Sequence, residues 1–243
     1  ESPPLIGKNG KERTGLHTSG ILSTKDGRQI AVFFTGRKYA GENLEQVLSH
    51  RNEELTVPIH MCDGISINNP GDFETISANC NSHARRKFVD IADDFVKEVK
   101  HILGVFKQVY KNDDETKKEN MTADERLDYH VAHSKPLLDD LKEWFEKQFE
   151  KKDIEPNSSL GAAINYMTER WDKLTQFLMV PGAPLDNESY AYCTSLAGLT
   201  LSGGSCFITG NRYMMDRSPH TRTVSISPRF TRRSTWDTDV FNL

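Results

Sequence analysis

The sequence predicts an α/β protein of the α+β kind, in which a small sheet comes first and a helical bundle is inserted after it. Three observations carry this. Two apolar runs flank Lys25-Asp26-Gly27-Arg28, whose Asp-Gly centre is a hairpin turn. A further apolar run, Val57-Pro58-Ile59-His60-Met61-Cys62, stops at Asp63-Gly64. From His83 onward the apolar period changes to steps of three and four, the period of amphipathic helices.

Each element follows in order. Residues 1–13 are polar and read as a loop. Leu16 to Ser23 and Gln29 to Thr35 are the two strands of the hairpin. Gly36 to Gly41 is a loop, and Glu42 to His50 a helix with Leu44, Val47 and Leu48 inward. The next strand is 57–62, with Val57, Ile59 and Met61 alternating. Pro70-Gly71-Asp72-Phe73 is a turn or a short helical segment, and Ile76 to Cys80 a short strand. Phe88, Ile91, Phe95, Val99, Ile102, Phe106 and Val109 then mark one long helix. Lys111 to Asn120 reads as a charged connector. Thr122 with Glu125 three residues later forms a capping box. The second helix carries Leu137, Leu138, Leu141, Trp144, Phe145 and Phe149, with Pro136 able to kink or split it. Pro156-Asn157-Ser158 breaks the chain. The third helix carries Leu160, Ile164, Met167, Trp171, Leu174 and Leu178. Trp144 and Trp171 fall on these stripes and are assigned to the core, not to base stacking.

Composition narrows the class. The chain has 243 residues, enough for one large domain or two small ones. Hydrophobic residues are 36% and charged residues 27%, as in a globular protein with a polar surface. The net charge of −4 excludes a histone-like binder, so a nucleic-acid surface has to be a local basic patch. No apolar run reaches the ~18 residues of a membrane span. Glu1-Ser2-Pro3-Pro4 lacks the shape of a signal peptide. Cys62, Cys80, Cys193 and Cys206 are too scattered for a disulfide scaffold, which points to a reducing cytoplasm.

Asp63 is the first candidate site residue. At the C-terminal end of a buried strand it lies where sites in α/β sheets commonly form. The alternative is an ordinary Asp-Gly turn. Arg85-Arg86-Lys87 is a basic cluster suited to DNA phosphates. Read as the first turn of a helix, it opposes the helix dipole, and that penalty favours a functional role. Arg37 and Lys38 add to the same basic character from a loop. Cys80-x-x-His83 is half of a zinc site and Cys62 a candidate third ligand, but the spacing does not support a closed four-ligand set. The preferred reading is a buried cysteine and a histidine opening a helix. His60, inside a strand, reads as structural. After Asn187 the composition shifts to Ser, Thr and Arg. That stretch is either a basic arm or a tail without a stable fold, and the latter is favoured.

Four motifs occur in order: Phe33-Phe34-Thr35-Gly36-Arg37-Lys38-Tyr39-Ala40-Gly41-Glu42-Asn43-Leu44; Met61-Cys62-Asp63-Gly64; Asn79-Cys80-Asn81-Ser82-His83-Ala84-Arg85-Arg86-Lys87-Phe88; and Glu155-Pro156-Asn157-Ser158-Ser159-Leu160-Gly161, continued by Pro184-Leu185-Asp186-Asn187. Together, over about residues 10–187, they resemble the transposases of the insertion sequence 66 family. The resemblance implies an RNase H-like mixed sheet with a large helical insertion. It gives a partial catalytic core over 10–83, the insertion over 84–180 and a divergent tail over 181–243. It also implies three acidic residues holding Mg²⁺, for in-line displacement at phosphorus on two metal ions ~4 Å apart.

Asp63 matches the family's second acidic residue, and so is both the catalytic and the metal-binding candidate. The first lies upstream of Lys11-Glu12-Arg13-Thr14-Gly15, and the chain starts after it. The third falls five residues after Asp186, where Ala191 stands; Glu188 has the wrong offset. The expectation is therefore a transposase fragment, shortened at its N-terminus, divergent after Asn187 in the manner of a frameshift, and inactive alone. Its partner is DNA, both transposon ends and target, with self-association left open. The alternative is a non-catalytic DNA-binding or assembly-modulating remnant.

Overall fold

The computed structural model describes residues 10, 12–25, 28–52, 54–187, 206–209 and 222–225. It is a mixed α/β protein, and the chain divides into two compact units. One is Glu1–Ala78 with Asn187–Phe230, the other Asn79–Asp186 with Thr231–Leu243.

The first unit is built on the hairpin. Strands β1 (His17–Lys25) and β2 (Arg28–Gly36) pair antiparallel from His17 opposite Gly36 to Lys25 opposite Arg28. That register leaves Asp26 and Gly27 for the turn, and both lie outside the described residues. Helix α1 (Ala40–Leu48) starts two residues before its expected start, because Glu42 Oε2 accepts from the backbone N–H of Tyr39 at 2.8 Å. Its Leu44 and Leu48 are buried against Ile21, with Phe34 and Val47 beside them.

Strand β3 (Ile59–Cys62) is shorter than the sequence suggested. Pro58 has no N–H to give a neighbouring strand, and its carbonyl accepts from Ile76 N at 2.9 Å. Val57 is exposed. All four β3 residues, His60 included, are buried, as in a strand covered on both faces. With β4 (Ile76–Asn79), β5 (Cys206–Thr209) and β6 (Arg222–Ser225) the sheet order is β4-β3-β5-β1-β2-β6. The β1–β5 pair is parallel, whereas β1–β2, β2–β6 and β3–β5 are antiparallel, so the sheet is mixed. Beyond residues 181–187 and these two short strands, the stretch read as a tail lies outside the described residues.

The second unit is helical. The long helix expected over 88–109 is interrupted. Helix α2 (Asn81–Val89) ends in turns at 90–95, and α3 (Val96–Lys118) follows. Asp90, Asp93 and Asp94 fall in that gap, and aspartate competes for backbone groups outside helices. The apolar period survives the break because both helices face one core. Phe88 stacks on Phe145 with ring centroids 6.3 Å apart, and lies 6.4 Å from Phe106.

The expected connector at 111–120 is a second correction, since α3 runs through it to Lys118. The reason is a buried polar network. Asp113 is 2% exposed, and its carboxylate is met by Arg126 at 2.6 Å, Lys117 at 2.7 Å and His130 Nε2 at 3.2 Å. Burial opposes the charge. The hydrogen bond with His130 and the positive charges of Arg126 and Lys117 outweigh it and hold Asp113 well below the usual carboxylate range. His130 Nδ1 lies 2.9 Å from Ser134 Oγ, which accepts from Asn112 Nδ2 at 3.0 Å.

Helix α4 (Ala123–His133) opens on the predicted capping box, Thr122 N donating to Glu125 Oε2 at 2.8 Å. Helix α5 (Lys135–Glu150) begins beside Pro136, so the proline splits the second helical stretch at Ser134. The third stretch also breaks, into α6 (Ser159–Glu169), α7 (Trp171–Leu174) and a 3-10 turn at Gln176–Leu178. Thr168 Oγ1 and Thr175 Oγ1 each bond a carbonyl four residues back, which bends helices. Trp171 is buried at 8% exposure. Trp144 is only half-buried and leans on His101 at 5.0 Å, which corrects its assignment to the core.

Two outcomes follow. Trp171→Ala should lower unfolding free energy by ~3–5 kcal/mol in urea denaturation, through lost packing. Asp113→Asn should lower it by about 3 kcal/mol at neutral pH, because Arg126 loses its buried counter-charge. The folded carboxyl titrates below its ordinary value of 3.8, so its stabilisation is complete above that value and is lost as pH falls through the folded value. Denaturation midpoints recorded between about pH 2 and 7 should therefore fall less steeply below about pH 4 in Asp113→Asn than in the native chain.

Candidate functional site

Asp63 is the first residue after β3 and is half-buried. Gly64 follows at φ +83°, a backbone conformation that turns the chain away from the strand end. Asp63 Oδ1 accepts two hydrogen bonds, from Ile65 N at 3.1 Å and from Asn68 Nδ2 at 2.7 Å. Asn68 is fully buried. The sequence reading missed it, and the signal was slight: one amide five residues after the aspartate.

A half-buried carboxylate at a strand end suits one ligand position of a hard divalent cation. Among the described residues, no three His, Cys, Asp or Glu side chains come together as a metal-holding group. Among the described residues, Asp63 is the hard-oxygen ligand that this strand end presents. Cys62 and Cys80 are buried thiols, and Cys80 stands at the N-cap of α2.

Asp186 lies in the second unit. Ser82 Oγ donates to its Oδ2 at 3.3 Å. Its motif is tied down through the neighbouring residue: Leu185 O accepts from Asn81 N at 3.2 Å and Asn81 Nδ2 at 3.1 Å, and Asn81 Nδ2 also reaches Leu174 O at 2.8 Å. Glu188 and Ala191 lie outside the described residues.

Arg85, Arg86 and Lys87 lie on α2, with Arg86 and Lys87 exposed. The helix starts at Asn81, so Arg86 and Lys87 occupy its last turn, where a cation favours the dipole. This removes the dipole penalty expected from the sequence. Lys87 Nζ sits 5.5 Å from the centroid of the Tyr166 ring on α6, and Arg170 Cζ 4.2 Å from the same ring. Sequence reasoning did not find Arg170 as the second cation on that ring. Arg37 pairs with Glu12, and Lys38 Nζ donates to Gln46 Oε1 at 3.1 Å.

The Asp113–His130–Ser134 chain has the residue types of a nucleophilic triad. His130 and Ser134 have no exposed surface, and Ser134 Oγ already accepts from Asn112, so the chain is a structural tie. No helix among the described residues is long and apolar enough to cross a membrane.

Comparisons with known proteins bear on the same residues. A family model described as Transposase IS66 family matches residues 6–190. An uncharacterized protein of Sinorhizobium fredii, y4hP, is 34% identical over 158 residues, covering 60% of this chain and 28% of that protein. A second uncharacterized protein of the same strain, y4jD, is 28% identical over 135 residues, 55% of this chain and 25% of that protein. The chain thus spans about a quarter of the length of the curated relatives it matches. No solved structure matches it.

Proposed function

This chain belongs to the IS66 family of transposases, and from that membership we propose that it is part of a DNA strand-transfer machine whose sheet unit supplies one metal-binding carboxylate, Asp63. The observation that carries the reading is the position of Asp63: directly after a buried strand, half-buried, on a turn made by Gly64. On this reading the mixed sheet is RNase H-like and the helical unit is its insertion. The partner is DNA, at transposon ends and target, and the setting is the cytoplasm.

The chemistry is phosphoryl transfer. Divalent ions, Mg²⁺ in this proposal, would activate the attacking oxygen and steady the leaving one. Asp63 would hold one such ion. Two hard cations need several converging oxygens. Position 191, five residues after Asp186, is alanine. The 243-residue chain by itself is therefore proposed to bind DNA without cutting it.

Binding falls to the basic side chains of α2. Helix α2 holds Arg85, Arg86 and Lys87 and no acidic residue. Two of the three are exposed, which suits contact with phosphates rather than base edges. Arg37 and Lys38 are weaker candidates, since each already has a side-chain partner.

Two experiments test this. Replacing Arg85, Arg86 and Lys87 together with alanine should weaken binding to all duplexes alike. It should also flatten the plot of log affinity against log salt, by up to about 0.9 for each phosphate no longer neutralised. Weakening confined to one target sequence would replace backbone contact with base readout. In a nicking and strand-transfer assay with Mg²⁺ or Mn²⁺, neither the native chain nor Asp63→Ala should cut, and both should bind equally. Cutting by both proteins would remove Asp63 from the chemistry.

A further inference from the structure

Asp63 is not left to choose its own rotamer. We propose that Asn68 is a positioning residue that locks the Asp63 carboxylate, and that Gly41 on α1 holds Asn68 in place. The inference rests on the reading of Asp63 as a metal ligand and adds what aims it.

The turn after Asp63 is short and pinned. Asn68 N donates to Ile65 O at 3.0 Å, closing a 3-10 turn over Ser66–Asn68. The backbone of this turn lies directly on α1. A Cβ at position 41 would stand 2.1 Å from Asn69 O and 2.8 Å from Ile67 O, so only glycine admits the approach. The motif that carries Gly41 is thereby joined to the motif that carries Asp63.

Asn68 lies between the two residues that meet Gly41, has no exposed surface and aims its amide at Asp63. Nδ2 donates to Oδ1 at 2.7 Å, the length of a charge-assisted bond. Ile65 N donates to the same oxygen at 3.1 Å. Two donors on one oxygen restrain the side-chain torsions of Asp63. The amide can face only this way, because its oxygen toward Asp63 would set acceptor against acceptor. The cost is visible: Asn68 Oδ1 is buried and has no hydrogen-bond partner among the described residues. A purely structural site would not need that expense, and an apolar side chain of the same size would avoid it. Groups that orient a metal ligand commonly change metal affinity about 10–100-fold when removed.

The test is NMR on the full chain. In the native protein the three-bond Hα–Hβ couplings of Asp63 should report one rotamer. Added Mn²⁺ should broaden the Gly64 amide. Asn68→Leu, close in volume and unable to donate, should average those couplings and require about 10-fold more Mn²⁺ for the same broadening. Asn68→Ser, smaller and still a donor, should fall between, and it covers the case in which leucine does not fit. Gly41→Ala should loosen Asp63 in the same way with no change at the carboxylate itself. A single rotamer and native Mn²⁺ response in both Asn68 variants would overturn the inference. If instead Asp63→Ala leaves the Mn²⁺ broadening in place, the metal role of Asp63 fails, while the couplings still decide whether Asn68 holds it.

Discussion

A charge in a protein interior has to be met by donors, and Asp113 imposes that condition on the helical unit. The carboxylate sits on α3 and draws in Arg126 and His130 from α4 and Lys117 from its own helix. His130 passes the constraint to Ser134, where α4 hands over to α5. Its ring meets Phe177 edge-on, with centroids 5.0 Å apart, and so reaches the 3-10 turn at Gln176–Leu178. Apolar stripes alone would let these helices slide, because burial of apolar surface has no direction. Hydrogen bonds have direction, and here they set the register. Phe88, Phe106 and Phe145 then fill the space that register leaves.

Asn81 does for the ends of the unit what Asp113 does for its middle. It opens α2, and its side chain takes the carbonyls of Leu174 and Leu185. Two of the four family motifs therefore meet at backbone carbonyls, with Ser82 and Asp186 adding a side-chain contact. The first two motifs meet in the same manner, the turn after Asp63 lying against Gly41. Motifs of this kind describe a frame. On the proposed reading the contact at Gly41 serves to aim Asp63, and the chemistry needs ligands beyond that carboxylate.

Much of this was legible in the residues. The hairpin expected on either side of Asp26-Gly27 agrees with the pairing of Lys25 opposite Arg28. Thr122 and Glu125 gave the start of α4 from sequence alone. The leucines of α1 pointed inward as their spacing required. The errors share a cause. Residues 111–120 looked like a connector because charge was taken as exposure, whereas Asp113 is buried with its partners around it. Arg86 and Lys87 were set at the wrong end of their helix because its start at Asn81 depends on contacts with Leu174 and Leu185. Trp144 sat on an apolar stripe, yet its position over His101 leaves it half in solvent.

The sequence by itself determined the hairpin, the order of strands and helices as far as the helical unit, the start of α4 and the family. These depend on period, on turn residues and on motifs, all of which are local. The tertiary structure decided which polar groups are buried, where the helices break and what holds Asp63. Those outcomes depend on partners far away along the chain: Asn81 and Leu185 are 104 residues apart, and the glycine that seats Asn68 lies on another element. A residue's type states what bonds it can make. Only the fold brings the other half of each bond within reach, and a buried polar group is stable only where that has happened.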